Sequence, residues 1–121
     1  MGYTQEAGQQ AETLACDYLC EQGLSLIIKN YHCRYGEIDL IMRQEQTIVF
    51  VEVRSRKANS LVDSASSVNW SKQQKLQRSA ENYLQKEKIH SSIPARFDVI
   101  AVTYHQNKPA QIDWIQNAFD G

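Results

Sequence analysis

Apolar and polar residues alternate in the outer parts of two neighbouring stretches of the chain, residues 37–43 and 47–54, which are joined by a short polar segment. Alternation of this kind is typical of β-strands, and so short a connection predicts a β-hairpin. If the turn is centred between Glu45 and Gln46, the pairing of all other residues in the hairpin follows by counting. The alternation therefore predicts which side chains of the two strands face each other.

The two faces of this predicted hairpin differ in polarity. One face is wholly apolar and consists of the pairs Ile38 with Val53, Leu40 with Val51, and Met42 with Val49. The other face holds Ile41 with Phe50 near the turn, then Asp39 with Glu52, then Glu37 with Arg54. Because the hairpin is apolar on both sides near its turn, we expect a sheet covered on both faces. Carboxylates with Cβ atoms roughly 5 Å apart repel each other unless a cation or a proton lies between them, so this pair calls for a metal ion or Arg54.

Helical periodicity precedes the hairpin. Apolar residues at this spacing predict a helix over residues 4–22 that stops at Gly23. Glu12 lies at the edge of its apolar face, which leaves the carboxylate partly buried; an ordinary boundary glutamate with its head in water is the alternative. Residues 24–31 are predicted to form a first strand, and residues 32–35 a connecting loop.

A long polar segment and a second helix follow the hairpin. Residues 55–69 are predicted to be a loop, either a substrate-contacting flap or plain disorder. Ser71 and Gln74 form a capping-box pattern that predicts a helix to about Lys88. Residues 96–104 are apolar on nearly both faces, as in a strand inside a covered sheet. The chain is predicted to finish with a turn at 105–109, a strand at 111–115 and a terminal turn at 117–119.

The predicted order is αβββαββ, an α/β or α+β arrangement with a mixed central sheet flanked by helices. A length of 121 residues suits one domain with a single core. No apolar run approaches the roughly 18 residues of a membrane span, and no secretory leader opens the chain, so we expect a cytoplasmic protein that binds no membrane. The three cysteines lack zinc-like spacing and are interpreted as reduced thiols.

Charge is distributed unevenly along the chain, although the net charge is only −1. Between residues 53 and 78, six basic residues stand against the single acid Asp63. This excess is either routine surface charge or a patch that faces phosphates. The apolar stripe of the second helix extends back to Lys72 and Gln73, which are predicted to point toward the sheet. A lysine in a first helical turn opposes the helix dipole, which indicates a function or a nearby acid.

These acids and bases are similar to the arrangement of PD-(D/E)xK nucleases. The motifs GQQAETLACDYL at 8–19, GEIDLIMR at 36–43, FVEVRSRK at 50–57 and RFDVIAV at 96–102, with the final DWI and NAF, more specifically resemble the YraN family. That bacterial family of uncharacterised small proteins is related in fold to archaeal Holliday junction resolvases. The resemblance covers almost the whole chain and implies a restriction-endonuclease-like fold.

The resemblance also implies a site. Glu12, Asp39 and Glu52 take the acidic positions that hold Mg²⁺ or Mn²⁺, and the backbone carbonyl of Val53 completes the shell. Such an ion polarises a scissile phosphate and activates water. Arg54 occupies the position where the nuclease pattern has lysine; arginine keeps its charge and stabilises phosphate without exchanging a proton.

Three functional hypotheses follow from these residues. The first is a metal-dependent endonuclease acting on DNA, branched DNA included, in which Arg54, Lys72 and Gln73 position phosphate or water. The second is a nucleic-acid-binding module that keeps the fold without cleaving. The third is a scaffold whose acids neutralise nearby arginines. The expected nucleic-acid contacts are Arg54, Arg56, Lys57, Lys72 and Lys75. Resolvases of this fold act as dimers, so a homodimer is a further expectation.

Overall fold

The computed structural model describes residues 5–58 and 69–119. Its elements are α1 (Gln5–Glu21), β1 (Ser25–Cys33), β2 (Gly36–Gln44), β3 (Thr47–Lys57), α2 (Trp70–Lys86), β4 (Ala95–Tyr104) and β5 (Gln111–Phe119). The predicted order and class are confirmed: the structure is α+β, with a mixed sheet and two helices. Within the described ranges, no helix combines the length and apolar content needed to cross a membrane.

The five strands form one sheet in the order β1-β2-β3-β4-β5. Only β3 and β4 run parallel, and the three other neighbouring pairs are antiparallel. Antiparallel neighbours are joined by short turns, whereas a parallel pair needs a crossover. The crossover between β3 and β4 contains α2, and this connection brings the helix onto the sheet.

Both faces of the sheet are covered by a helix, as the hairpin pattern predicts. On one face, Ala15 and Leu19 of α1 pack in a buried cluster with Leu40, Val51 and other strand residues. On the opposite face, Leu76, Ala80 and Tyr83 of α2 pack with a second buried cluster that contains Ile41, Phe50, Phe97 and Val99. Apolar residues on both sides of β2, β3 and β4 are therefore removed from water, which stabilises the layered arrangement.

The predicted register of the hairpin is confirmed from its turn as far as the pair Leu40 and Val51. Beyond that pair the ladder ends, so the predicted pairings of Asp39 with Glu52 and of Glu37 with Arg54 are wrong. Glu37 pairs with His32 of β1 instead. The strands separate here, where β3 continues alongside β4 and β2 continues alongside β1.

The face assigned to Ile38 is also wrong. Ile38 packs in the cluster beneath α2, together with Tyr31, whereas Leu40 lies on the α1 side. Asn30 of β1 lies between Lys29, the partner of Leu40, and Tyr31, the partner of Ile38, and it has a positive φ of 53°. A left-handed residue interrupts the regular alternation of β1, and both Tyr31 and its partner Ile38 lie in the cluster beneath α2.

Three predicted loops are shorter than expected. Strand β1 extends through His32 and Cys33, and β3 extends through residues 55–57, which were predicted to be loop. Residues 59–68 of the predicted flap lie outside the described residues. Strand β5 continues to Phe119, where a terminal turn was predicted. The ladder to β4 continues past a register shift between Val99, which pairs with Ile115, and Phe97, which pairs with Phe119. Asn117, between these β5 residues, has a φ of 50°, and Phe119 stacks on Phe97.

The second helix is capped two residues earlier than predicted. The side chain of Asn69 accepts a hydrogen bond of 2.9 Å from the backbone N–H of Lys72. Ser71, the predicted cap, lies inside the first turn and is exposed. Asparagine is among the strongest N-cap residues, and its use lengthens the helix at the end nearest the hairpin.

A buried aspartate fastens β5 to the sheet. Asp98 is 0% exposed, and its carboxylate accepts hydrogen bonds from the Arg96 guanidinium, from Trp114 Nε1 at 2.9 Å and from the backbone N–H of Asn117 at 3.0 Å. Arg96 is held in place by a further bond of 2.7 Å to Gln44. Because the carboxylate has a cation and several donors around it, its charge is compensated within the core.

Removing this carboxylate is expected to destabilise the protein strongly. Asp98→Ala leaves the guanidinium and two N–H donors without their acceptor, so the free energy of unfolding should fall by about 3 to 5 kcal/mol. Urea denaturation followed by far-UV circular dichroism measures it. Asp113→Ala, which removes a half-buried acid from β5, is the matched control and should cost less than about 1 kcal/mol. Equal losses in both variants would contradict the proposed anchor.

The position of the helix cap gives a second expectation. Asn69→Ala should lower the free energy of unfolding by about 1 kcal/mol, because the N–H of Lys72 loses its acceptor. Ser71→Ala should change it by less than about 0.5 kcal/mol. Thermal and urea denaturation of the two variants show which residue caps the helix. A larger loss of unfolding free energy in Ser71→Ala would mean that Ser71 is the cap, as predicted from the sequence.

Candidate functional site

Asp39 and Glu52 lie where β2 and β3 separate. Past the last pair of the ladder, the Asp39 side chain accepts a hydrogen bond from the opposite strand: its Oδ2 lies 2.8 Å from the backbone N–H of Val53. Glu52 directly precedes Val53 in β3. It is only 6% exposed and lies on the side of the sheet that α2 covers. Two acids on neighbouring strands are thus brought together by backbone geometry, although they do not form the directly opposed pair predicted from the sequence.

The two acids affect each other strongly. Burial and the negative charge of Glu52 raise the pKa of Asp39 from its ordinary value of 3.8 to about 7, and Glu12 adds to the rise. The hydrogen bond from Val53 and the charge of Lys72 act in the opposite direction. An aspartate with such a pKa lies in a surrounding that favours either a proton or a cation beside it.

Glu12 reaches the same site from α1. Burial raises the pKa of its carboxyl, while a hydrogen bond with Asn30 lowers it. The charges of Glu37 and Glu52 raise it further. The half-buried carboxylate predicted from the helical wheel is therefore confirmed, and its electrostatic influence extends to both of the other acids.

Two cations approach Glu52. The ammonium Nζ of Lys72 lies 2.7 Å from Glu52 Oε1, and Arg54 Nε lies 3.7 Å from the same oxygen. Lys72 stands in the first turn of α2, so the prediction that it points toward the sheet is confirmed. Its partner also explains why a lysine is tolerated at that end of a helix, since a nearby acid offsets the unfavourable dipole.

The described acids do not form a preassembled metal-ligand group. Across residues 5–58 and 69–119, no three histidine, cysteine, aspartate or glutamate side chains are placed to hold an ion. The donor chemistry nevertheless suits a hard divalent cation, which prefers carboxylate oxygens and would offset the repulsion that raises the pKa of Asp39. Binding through Glu12, Asp39 and Glu52 together therefore requires side-chain rotation, above all release of Glu52 from Lys72.

The other predicted contacts are spread around this centre. Gln73 is half-buried on the first turn of α2, and Lys75 is exposed one turn farther along. Arg56 donates a hydrogen bond of 3.2 Å from Nε to Thr103 Oγ1 of β4. Arg56 and the exposed Lys57 lie about 13 Å and more beyond Glu52 along β3, so they border the acids from a distance.

A cavity of about 420 Å³ lies beside the first turn of α2. Its wall is formed by Gly36, Glu37, Asn69, Ser71, Lys72, Lys75 and Leu76. Lys72 belongs both to this wall and to the ion pair with Glu52, which connects the cavity to the acidic site. The cavity lies between the first turns of α2 and the beginning of β2. Its wall holds two lysines against the one carboxylate of Glu37, an excess of positive charge that suits an anionic group.

Sequence reasoning assigned no role in a site to Gly36 or Asn69, which both belong to this wall. Gly36 has a φ of 145°, a left-handed conformation that favours glycine, and a Cβ there would lie 3.6 Å from Ser79 Oγ of α2. A glycine directly before a strand is the local signal for such a close approach. Asparagine is a strong N-cap residue, so Asn69 could have been predicted as the cap, but the capping-box pattern of Ser71 and Gln74 favoured Ser71.

Comparison with known proteins identifies relatives of the chain. The sequence pattern of the Uncharacterised protein family UPF0102 matches residues 11–102. A UPF0102 protein of Legionella pneumophila is 48% identical over 117 residues, which cover 97% of both chains. A UPF0102 protein of Saccharophagus degradans is 48% identical over 114 residues, which cover 94% of this chain and 92% of the relative. A UPF0102 protein of Pseudomonas aeruginosa is 47% identical over 118 residues, 97% of this chain and 94% of the relative.

These matches confirm the resemblance to the YraN type of protein that the sequence motifs predict. The matched range includes Glu12, Asp39, Glu52 and Lys72. The family is described as uncharacterised, so the matches identify relatives without assigning an activity.

The raised pKa of Asp39 predicts a specific dependence of stability on pH. Below pH 3.8 the protonated carboxyl contributes its full stability, and this contribution is lost as the pH rises through about 7. Asp39→Asn removes the titration and keeps an acceptor for the N–H of Val53. Without divalent ions, the wild type should lose about 2 kcal/mol of unfolding free energy relative to the variant as the pH is raised from 5 to 8. Urea denaturation at both pH values measures the change.

Asp17→Asn is the control, because Asp17 is an exposed acid on α1. Its free energy of unfolding should follow that of the wild type across the same pH range. The explanation of the acidic site is overturned if Asp39→Asn also follows the wild type, since the carboxyl would then titrate alike in the folded and unfolded protein.

Proposed function

The chain belongs to the Uncharacterised protein family UPF0102, and we propose that it is a metal-dependent endonuclease that hydrolyses phosphodiester bonds in DNA, branched DNA included. The observation that carries the proposal is the position of Asp39 beside Glu52, where burial and the charge of Glu52 raise the pKa of Asp39 to about 7 next to two basic side chains. Acids held close at such a cost in repulsion are typical of sites that bind a cation or transfer a proton.

The residues that would hold Mg²⁺ or Mn²⁺ are Glu12, Asp39, Glu52 and the backbone carbonyl of Val53. When bound, such an ion polarises the phosphate and lowers the pKa of its water ligand. The carboxylates contribute oxygen ligands, and the bond from Val53 N–H to Asp39 fixes the orientation of one of them. The buried position of Glu52 keeps bulk water from competing for its oxygens.

The basic residues have a separate role in this proposal. Arg54 stabilises the negative charge that develops on the phosphate, since its guanidinium stays protonated throughout. Lys72 leaves Glu52 when the cation and substrate bind, and it then positions the phosphate or the attacking water together with Gln73. Lys75, Arg56 and Lys57 bind neighbouring phosphates of the DNA, and such contacts make binding fall with increasing salt.

A second candidate function is a nucleic-acid-binding module that does not cleave. The ion pair of 2.7 Å between Lys72 and Glu52 favours it, because this contact neutralises Glu52 without any metal. The presence of arginine at position 54, in place of lysine, points the same way. In this alternative the acids shape the surface and the basic residues alone engage phosphate.

A cleavage assay distinguishes the two functions. Single-stranded, duplex, flapped and four-way DNA are incubated with Mg²⁺ or Mn²⁺, and the products are resolved on a denaturing gel. We expect cleavage by the wild type, and a loss of about a hundredfold or more in Glu52→Gln, because one ligand of the ion is lost. Glu81→Gln, on the exposed side of α2, is the control and should cleave like the wild type.

Metal binding is measured in parallel by calorimetry at millimolar Mn²⁺. If Mn²⁺ binds the double variant Asp39→Asn with Glu52→Gln as well as it binds the wild type, the acids are not the ligands and the nuclease proposal fails. Salt-dependent DNA binding without any cleavage that Glu52→Gln removes would establish the second candidate function instead.

A further inference from the structure

Trp70 is the most exposed large apolar side chain among the described residues. It is 73% exposed, and it stands as the first residue of α2. In the described part of the chain, the indole has no hydrogen-bonding or ring partner. Burying a tryptophan gains more than burying almost any other side chain, so this exposed ring offers a large apolar surface to a ligand.

The surroundings of this tryptophan indicate what it contacts. Asn69 and Ser71, its neighbours in the chain, both line the cavity, and so do the two lysines that follow at 72 and 75. An exposed aromatic ring beside a cavity whose two lysines outnumber its one acid, Glu37, combines a stacking surface with charge for an anion. Nucleotides offer the complementary pair of features, a base with a π face and a phosphate.

We propose that Trp70 stacks on an unpaired nucleobase while the phosphate of that strand enters the cavity beside Lys72 and Lys75. A base inside a duplex has both faces covered by its neighbours, so a protruding indole can stack only on a base that is unpaired or at the end of a helix. The structure thereby assigns a substrate class to the site: DNA with unpaired bases next to the bound phosphate.

This inference rests on the proposed function, because it takes DNA as the ligand of the same site. It goes beyond that function in naming which strand geometry is bound and which residue selects it. Lys72 links the two places, since it borders the cavity and also contacts Glu52. A base held on Trp70 would therefore place its strand beside the acids, at the level of the first turn of α2.

Binding to labelled DNA in a buffer with EDTA tests the stacking apart from cleavage. A thymidine single strand and a blunt duplex of equal length are compared by fluorescence anisotropy. We expect Trp70→Ala to weaken single-strand binding roughly tenfold and duplex binding less than about twofold. Trp70→Phe should retain most of the single-strand affinity. Lys75→Ala should weaken both forms alike and lower the salt dependence, since it removes a phosphate contact.

Intrinsic fluorescence provides a readout that a structural role would not produce. The chain has two tryptophans, and Trp114 is half-buried with its Nε1 bonded to Asp98. Addition of the unlabelled single strand should quench the wild-type emission and leave that of Trp70→Phe unchanged. Leu26→Ala, which removes another exposed apolar side chain, should behave like the wild type.

The outcomes separate the two proposals. If the wild type binds DNA and Trp70→Ala binds the single strand equally well, the stacking inference is overturned and the nuclease proposal stands. If the wild type binds neither form of DNA at low salt, both fall together. A loss of duplex and single-strand binding by the same factor in Trp70→Ala would also overturn the inference, because stacking on an unpaired base predicts a selective effect.

Discussion

The parallel pairing of β3 with β4 is the constraint on which the rest of the structure depends. This ladder runs from Ile48 to Lys57, whereas the ladder of β3 with β2 ends at Val51. A parallel pair cannot be closed by a tight turn, so the chain has to cross a face of the sheet, and α2 lies in that crossover. Because β3 leaves β2 and continues along β4, a gap opens at Asp39. The crossover that follows β3 places the first turn of α2 beside this gap.

That gap determines the chemistry of the site. Within a regular ladder, the N–H of Val53 would be directed at a backbone carbonyl, but here it meets the Asp39 carboxylate. Glu52 remains on the α2 side, where Lys72 reaches it from the first helical turn. Acids from two strands and one helix, and bases from a strand and a helix, converge at one end of the hairpin because three elements end or separate there.

Two aspartates of the sheet show how surroundings decide the role of a residue type. Asp98 is enclosed by a guanidinium, an indole N–H and a backbone N–H, and it holds β5 in place. Asp39 has one backbone donor, and burial together with the charges of Glu52 and Glu12 raises its pKa to about 7. A compensated charge serves structure, whereas an uncompensated one favours binding of a cation or a proton.

Local pattern was sufficient for much of this protein. Alternation and helical spacing predicted all seven elements in order, the hairpin register near its turn and the burial of both sheet faces, because these follow from short-range periodicity. The motifs also predicted the family and the grouping of Asp39, Glu52 and Lys72. Predictions from local pattern were wrong where long-range packing decided the structure. Ile38 lies on the opposite face from the one predicted, the predicted pairs beyond Leu40 do not form, and Asn69 caps the helix in place of Ser71.

The sequence by itself thus determined the elements, the family and the acidic and basic residues that meet. Only the tertiary structure decided how they meet: Glu52 with Lys72, Asp39 with the N–H of Val53, and a cavity whose wall includes the same Lys72. The physical reason is that these contacts depend on where β3 leaves β2 and where α2 returns to the sheet. Both are set by packing between residues far apart in the chain.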